Sequence, residues 1–226
     1  MNALISVFHK EGIDKIALAL SQAGWKIYST GGTYRYLEDL NIPAVEISSL
    51  TEFPEILDGR VKTLHPKVFA SILAKDTPEH TRQLNSIHCH PFSLVVVNFY
   101  PFESALTSEK ACDHAFMTEQ IDIGGPSMVR AAAKNHQQVT VITDPNDYPI
   151  VSEMLNNPDQ KPSLEVRKHL AFKAFSYTSY YDHLISSYFK SITGDRMPGF
   201  CSFTGRKQTE LRYGENPHQS ASIYHT

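Results

Sequence analysis

Three cysteines, Cys89, Cys112 and Cys201, are too few and too scattered for a disulfide framework, and no Cys-x-x-Cys pair is present to hold a metal or run redox chemistry. Free thiols are expected. Long apolar runs are missing as well: Leu94 to Val97 falls far short of the ~20 residues of a membrane helix, and the start MNALISVFHKEG lacks the pattern of a signal peptide. A cytoplasmic protein with no membrane partner is expected. Nor is there a basic excess: 21 Lys and Arg against 24 Asp and Glu leave a formal charge of -3, whereas binding along a phosphate backbone demands a positive surplus. Nucleic acid is therefore not an expected partner, and any anion site must be local. What remains is ordinary globular usage, 41% hydrophobic and 20% charged, with length for one core or one core plus a small appendage.

Short β-rich runs alternate with helical patterns: Ala3 to Phe8, Trp25 to Ser29, Ala44 to Ile47, Leu94 to Tyr100 and Val139 to Thr143. That alternation predicts a parallel sheet with crossover helices. Between the first two strands Ile13, Ile16, Ala17 and Leu20 recur at helical spacing, and Gly24 sits where a helix C-terminal glycine belongs. Leu170, Ala174, Tyr177, Tyr181, Leu184 and Tyr188 step by three and four, so Leu164 to Lys190 reads as one long or two shorter amphipathic helices whose tyrosines serve packing. From Ser191 to Glu210 the pattern dissolves into Gly, Pro, Ser and charge and reads as a linker.

Four stretches carry residues with chemistry. In Ser29-Thr30-Gly31-Gly32-Thr33 a glycine turn joins a strand to a helix, a geometry that aims N–H groups and a helix N-terminus at an anion; a plain turn with Thr33 as helix N-cap fits equally. In Asp58-Gly59-Arg60-Val61-Lys62-Thr63-Leu64-His65-Pro66 an extended chain would turn Arg60 and Lys62 to one side, facing one target, although a solvated basic loop fits the spacing as well. His65 alone reads as a structural histidine. Asn98 and Tyr100 stand at the carboxyl end of a buried-type strand, where α/β sheets bind ligands. Ile121-Asp122-Ile123-Gly124-Gly125-Pro126-Ser127 sets an acid before a second Gly-Gly turn, with Pro126 at a favoured first helical position and the helix continuing through Lys134. A ligand lying along that helix would meet Lys134, but one confined to its tip would not, since eight residues span ~12 Å. His88-Cys89-His90 has no second ligand pair at zinc-site spacing, so no metal is expected.

Taken in order, STGGT, LDGRVKTLHP, NFYPF, EQIDIGGPSMVRAAAKNH and LRYGENPHQ resemble the bifunctional AICAR transformylase/IMP cyclohydrolase family of purine biosynthesis. The resemblance implies a three-layer α/β, parallel-sheet, methylglyoxal-synthase-like domain with additional C-terminal helices. It implies residues 1–190 as the IMP cyclohydrolase domain, 191–210 as a linker and 211–226 as the start of a truncated transformylase domain, with Arg212 and Tyr213 at substrate positions of that second domain. The implied reaction is closure of 5-formamidoimidazole-4-carboxamide ribotide to IMP, a cyclic-amidine hydrolase running in the ring-closing direction without cofactor. No transformylase activity is expected of this chain. A homodimer is left open.

By the same resemblance Lys62, Tyr100, Asp122 and Lys134 match catalytic positions: Asp122 to orient or deprotonate the carboxamide, the lysines to stabilise the oxyanion and protonate departing water, Tyr100 to assist. Ser6, Lys10, Ser29, Gly31, Gly32, Thr33, Arg60, Thr63 and Asn98 are the implied substrate contacts, with Ile123 and Gly124 offering backbone N–H donors to the oxyanion. Two loops depart from the family pattern. Ser6-Val7-Phe8-His9-Lys10-Glu11-Gly12 stands where the family reads Ser-Val-Ser-Asp-Lys-Thr-Gly, and Phe69, Ala70 and Ser71 replace His-Gly-Gly. Phe8 and Glu11 are expected near the phosphate, weakening its binding. The alternative function is a catalytically weak nucleotide-binding module of the same fold, which would need neither Lys62 nor Lys134. A methylglyoxal synthase ranks behind both, because its acidic Gly-Gly-Asp type of motif is missing.

Overall fold

The computed structural model describes residues 1–156 and 161–225. The chain divides into two compact units, Met1–Thr178 and Ser179–Thr226. The first unit holds a five-stranded parallel sheet in the order β3-β2-β1-β4-β5, built from β1 (Asn2–Ser6), β2 (Lys26–Ser29), β3 (Val45–Glu46), β4 (Leu94–Val97) and β5 (Thr140–Ile142). Each strand is shorter than its apolar run, by residues lost at one end or both. Central β4 is Leu-Val-Val-Val and wholly buried, as a parallel strand covered on both faces must be.

Helices α1 (Ile13–Gln22) and α2 (Gly31–Asp39) follow the first two strands, and α3 (Ile47–Thr51), α4 (Pro66–Leu73) and α5 (Pro78–Ser86) lead to β4. Then come α6 (Phe102–Leu106), α7 (His114–Glu119) and α8 (Gly124–Lys134) before β5, and α9 (Tyr148–Asn156) after it. Right-handed crossovers send the chain to opposite faces once the strand order reverses, so α1 packs on α9 and α4 on α8. The expected face of α1 is the one that packs: Ile13, Ile16, Ala17 and Leu20 are buried, and Gly24 takes the left-handed φ of 75° that ends the helix. Asn135, just past α8, donates its side-chain amide to the carbonyls of Ile72 and Ala74 at 2.8 and 2.9 Å, satisfying the end of α4 inside the core. His65 is the N-cap of α4, its Nδ1 accepting from the Lys67 N–H at 3.2 Å, which bears out its structural reading.

The stretch expected as one long or two shorter helices is one, α10 (Leu164–Thr193). Within the first unit its Tyr177 ring stacks on Phe99 at 4.4 Å and 10°, and the Phe99 N–H points to the Tyr177 hydroxyl at 3.4 Å. That tyrosine therefore holds the end of β4. In the second unit an antiparallel hairpin, β6 (Arg206–Leu211) with β7 (Ala221–His225), has no counterpart in the sequence expectations. Regular structure enters the segment read as a linker from both sides, α10 to Thr193 and β6 from Arg206, because Arg206 to Leu211 finds cross-strand partners that a local pattern does not reveal. Among the described residues no helix is long and apolar enough to cross a membrane.

Candidate active site

Strand order 3-2-1-4-5 reverses between β1 and β4, and a crevice at such a switch point, beyond the carboxyl ends, is where open α/β sheets bind ligands. A cleft of about 970 Å³ lies there. Its walls come from the loops after β1, β2 and β4, from the turn before α4 and from the start of α8.

One end of the cleft is made for an anion. Helix α2 begins at Gly31 behind Thr30, so Thr30 rather than Thr33 is the N-cap residue. The first N–H groups of a helix have no acceptor within it and carry the positive end of its dipole. Thr33 instead ties α2 to β1, donating to the Val7 carbonyl at 2.9 Å and accepting the Val7 N–H at 3.0 Å. Ser6 and Thr30 share a hydroxyl hydrogen bond of 2.7 Å. The Lys10 ammonium folds over this junction, 3.2 Å from both Thr33 Oγ1 and the Phe8 carbonyl, and burial lowers its pKa. A cation that has given up water without gaining a carboxylate is well suited to meet an anionic ligand.

The other end is acidic and basic at once. Asp122 Oδ1 accepts the Gly125 N–H at 2.9 Å. Burial raises the Asp122 pKa, opposed in turn by the Gly125 N–H, the Lys62 charge and the Gly124 N–H. Both glycines stand in crowded places. A Cβ on Gly125 would stand 2.5 Å from Asp122 Oδ2, and one on Gly124 2.6 Å from Thr63 Oγ1. The helix thus starts at Gly124, two residues before the expected Pro126, because the Asp122 side chain turns the Gly-Gly pair into its first turn. The N–H of Gly124 serves Asp122, and so the expected oxyanion role of Gly124 is not supported by this geometry.

Lys62 reaches the same space by a turn rather than by an extended strand. Leu57, Asp58 and Gly59 have positive φ, and Ile56 bridges Val61, so the chain doubles back between Arg60 and its neighbours. Lys62 Nζ lies 3.6 Å from the point where a Gly31 Cβ would be and 3.8 Å from that of Gly59. The ammonium therefore lies close to both glycine turns. Arg60 pairs instead with Glu119 on the exposed rim, so the two cations do not face one target in this state.

Asn98 is fully engaged: its Oδ1 accepts the N–H groups of Phe8 and His9 at 2.6 and 3.0 Å, and its Nδ2 donates to the His9 carbonyl at 3.2 Å. It holds the loop after β1 against the end of β4. Tyr100 lines the cleft and is 44% exposed.

Most of the residues singled out in the sequence thus line one cleft: Lys62, Tyr100 and Asp122, with Ser6, Lys10, Gly32, Thr33, Arg60, Thr63, Asn98, Ile123 and Gly124. Three do not. Ser29 is fully buried and donates to the Ile5 carbonyl, Gly31 backs Lys62 without lining the open space, and Lys134 stands at the far end of α8. Lys134 lines a separate shallow groove of about 570 Å³ with Arg130, His136, Phe172 and Phe175. An eleven-residue helix is roughly 16 Å long, so its two ends do not serve one ligand within one chain. Glu11 points to solvent and is not a cleft residue, contrary to its expected place beside the phosphate. The sequence reading did not single out the acidic rim of Glu55, Asp58 and Glu119, although Asp58 stands within the quoted LDGRVKTLHP stretch. It also did not single out Thr30 and Gly125, whose signal lay in the repeated Gly-Gly turns.

The family model of the MGS-like domain matches residues 12–127, and that of the AICARFT/IMPCHase bienzyme matches residues 132–226. The bifunctional purine biosynthesis protein PurH of Caldicellulosiruptor saccharolyticus is 49% identical over 225 residues, covering 98% of this chain and 43% of that protein. PurH of Halalkalibacterium halodurans is 48% identical with the same coverages. The chain spans less than half the length of these relatives. A solved structure described as ForH superposes with a TM-score of 0.75 at 34% identity, covering 84% of this chain and 98% of that one.

Proposed function

The chain belongs to the AICARFT/IMPCHase bienzyme family and carries its MGS-like domain, and on that premise we propose that it is an IMP cyclohydrolase, closing 5-formamidoimidazole-4-carboxamide ribotide to IMP. The observation that carries this reading is the convergence of a half-buried carboxylate, Asp122, and an ammonium, Lys62, in the same cleft as the α2 N-terminus. The carboxamide nitrogen attacks the formyl carbon, a C–N bond forms, and the resulting carbinolamine loses water. No electron changes hands. Because both reacting groups belong to one molecule, the protein's work is to hold the reactive rotamer and move protons.

Asp122 takes the proton of the carboxamide nitrogen. Its raised pKa makes it a stronger base than an exposed aspartate. Lys62 stabilises the negative charge that develops on the formyl oxygen and relays protons to it. That oxygen leaves as water with two protons, the one Asp122 took from the carboxamide nitrogen and the one the formamido nitrogen gives up as the ring C=N bond forms. Tyr100 assists through its hydroxyl. The 5′-phosphate lies at the α2 N-terminus, with Gly32, Thr33 and Lys10. A cytoplasmic location goes with this reading, and residues 211–226 are assigned within it to the transformylase part of the bienzyme.

Lys134 takes part only if a second copy of the chain delivers it, since its own cleft lies at the opposite end of α8. We therefore include a homodimer in the proposal. The test is ultraviolet monitoring of IMP formation from the formylated ribotide. Turnover supports the enzyme, whereas IMP binding without turnover favours the nucleotide-binding module, a reading that the distance of Lys134 from the cleft keeps open. Failure to bind IMP removes both.

A further inference from the structure

The loop after β1 carries Phe8. Neither backbone group of Phe8 is free for a ligand: its N–H is held by Asn98 Oδ1 at 2.6 Å and its carbonyl accepts from Lys10 Nζ at 3.2 Å. What Phe8 offers the cleft is its ring. That ring lies 5.1 Å from the Tyr100 ring, tilted by 49°, and 5.1 Å edge-on from the His9 imidazole. Phe8 and Tyr100 both line the cleft, and they are 43% and 44% exposed. Ile123, 58% exposed, is a third apolar side chain lining the same space.

Exposed aromatic surface inside a cleft calls for a flat apolar partner. A tilted pair of rings leaves ring surface open to one. The anion-binding end, at Thr30 to Thr33, is hydroxyl and backbone and needs no such surface. We infer that Phe8, packed on Tyr100, is a specificity-determining residue that receives the planar heteroaromatic base of the nucleotide rather than its phosphate. This rests on the proposed function for the identity of the ligand. It also revises the expectation that Phe8 acts at the phosphate: what this side chain offers is ring contact. Tyr100, itself in the loop after β4, gains a ring neighbour.

The experiment is calorimetric titration of the full chain with two probes, IMP and ribose 5-phosphate, which share the phosphate and ribose but differ in the base. The parent is expected to bind IMP more tightly than ribose 5-phosphate. Phe8→Ala should lose about tenfold in IMP affinity, the scale of one base–aromatic contact, and leave ribose 5-phosphate affinity unchanged. Phe8→Tyr should keep the discrimination and Phe8→Ser should lose it. Equal loss for both probes means that the ring only shapes the phosphate loop, and no loss for either means that it touches no ligand; each result overturns the inference while leaving the cyclohydrolase reading standing. Should Phe8→Ala fail to fold, Phe8→Ser and Phe8→Tyr carry the same comparison. A parent that binds neither probe and forms no IMP defeats the proposed function itself, and this inference with it.

Discussion

The two ends of α8 are built from opposite materials. At its start, Gly124 and Gly125 are crowded by the Thr63 and Asp122 side chains, the pKa of the half-buried Asp122 is raised, and the surrounding loops line a wide cleft. At its finish, Arg130, Lys134 and His136 stand over exposed Phe172 and Phe175 in an open groove. The contrast teaches how a motif can mislead. EQIDIGGPSMVRAAAKNH is continuous in sequence, but a helix converts sequence distance into physical distance, and residues twelve positions apart end at opposite poles of the same rod.

The largest expected effect comes from emptying the first pole. Asp122→Asn or Lys62→Ala should lower turnover by about 10² to 10⁴, the range of a lost general base or acid, with IMP affinity changed by far less. The pH profile sharpens this. Because the carboxylate is the active form and burial raises its pKa, the parent's activity should rise with pH through a value above the ordinary aspartate range. The slow Asp122→Asn variant should lack that limb. Retention of full turnover by either variant removes its assigned role.

The second pole is tested by mixing. If Lys134 serves the cleft of a second copy, Lys134→Ala and Lys62→Ala should each be nearly inactive alone. Combined and re-equilibrated at equal amounts, they should recover about a quarter of parental turnover, since half of the dimers are mixed and each of those has one intact site. No recovery from two inactive variants means that both lysines act in one chain, against the geometry. An active Lys134→Ala means that this lysine has no catalytic part.

Stability should distinguish the glycines. Gly125→Ala forces a Cβ to 2.5 Å from Asp122 Oδ2 and 3.1 Å from Phe99 and should cost about 1–3 kcal/mol in denaturant unfolding. Gly32→Ala meets nothing within 4 Å and should stay within ~0.5 kcal/mol. Equal costs would mean that the crowding at α8 is not what demands glycine. The smallest effect is a gain: a carboxyl whose folded pKa is raised stabilises the fold below its unfolded pKa and loses that contribution as pH rises through the folded value. Asp122→Asn should therefore melt slightly higher than the parent near pH 7, with the advantage vanishing at low pH. A lower melting temperature at pH 7 contradicts the burial argument.

Much of the architecture was legible because parallel strands and α1 declare themselves in local apolar patterns, and β4 does so in an unbroken Leu-Val-Val-Val. The glycine turns were legible as anion-binding candidates for the same local reason. What failed was non-local. Asp58-Gly59 is a turn dipeptide, but nothing local announces that the turn sends Arg60 to Glu119 and Lys62 inward, and nothing near Asn98 announces that its amide is spent on a loop ninety residues away. The hairpin of β6 and β7 escaped because its pairing, not its composition, makes it a sheet. Glu11 was misjudged because its neighbour Lys10 turns inward while it turns out.

The central claim is that the nucleotide sits between the α2 and α8 N-termini, and glycine amides report on it directly by nuclear magnetic resonance. Titration of isotope-labelled protein with IMP should shift the amide signals of Gly31, Gly32, Gly124 and Gly125 along one common saturation curve. Gly194, Gly199 and Gly214 of the second unit, outside the cleft, should stay still. Saturable binding of IMP that leaves those first four amides unmoved would contradict the account.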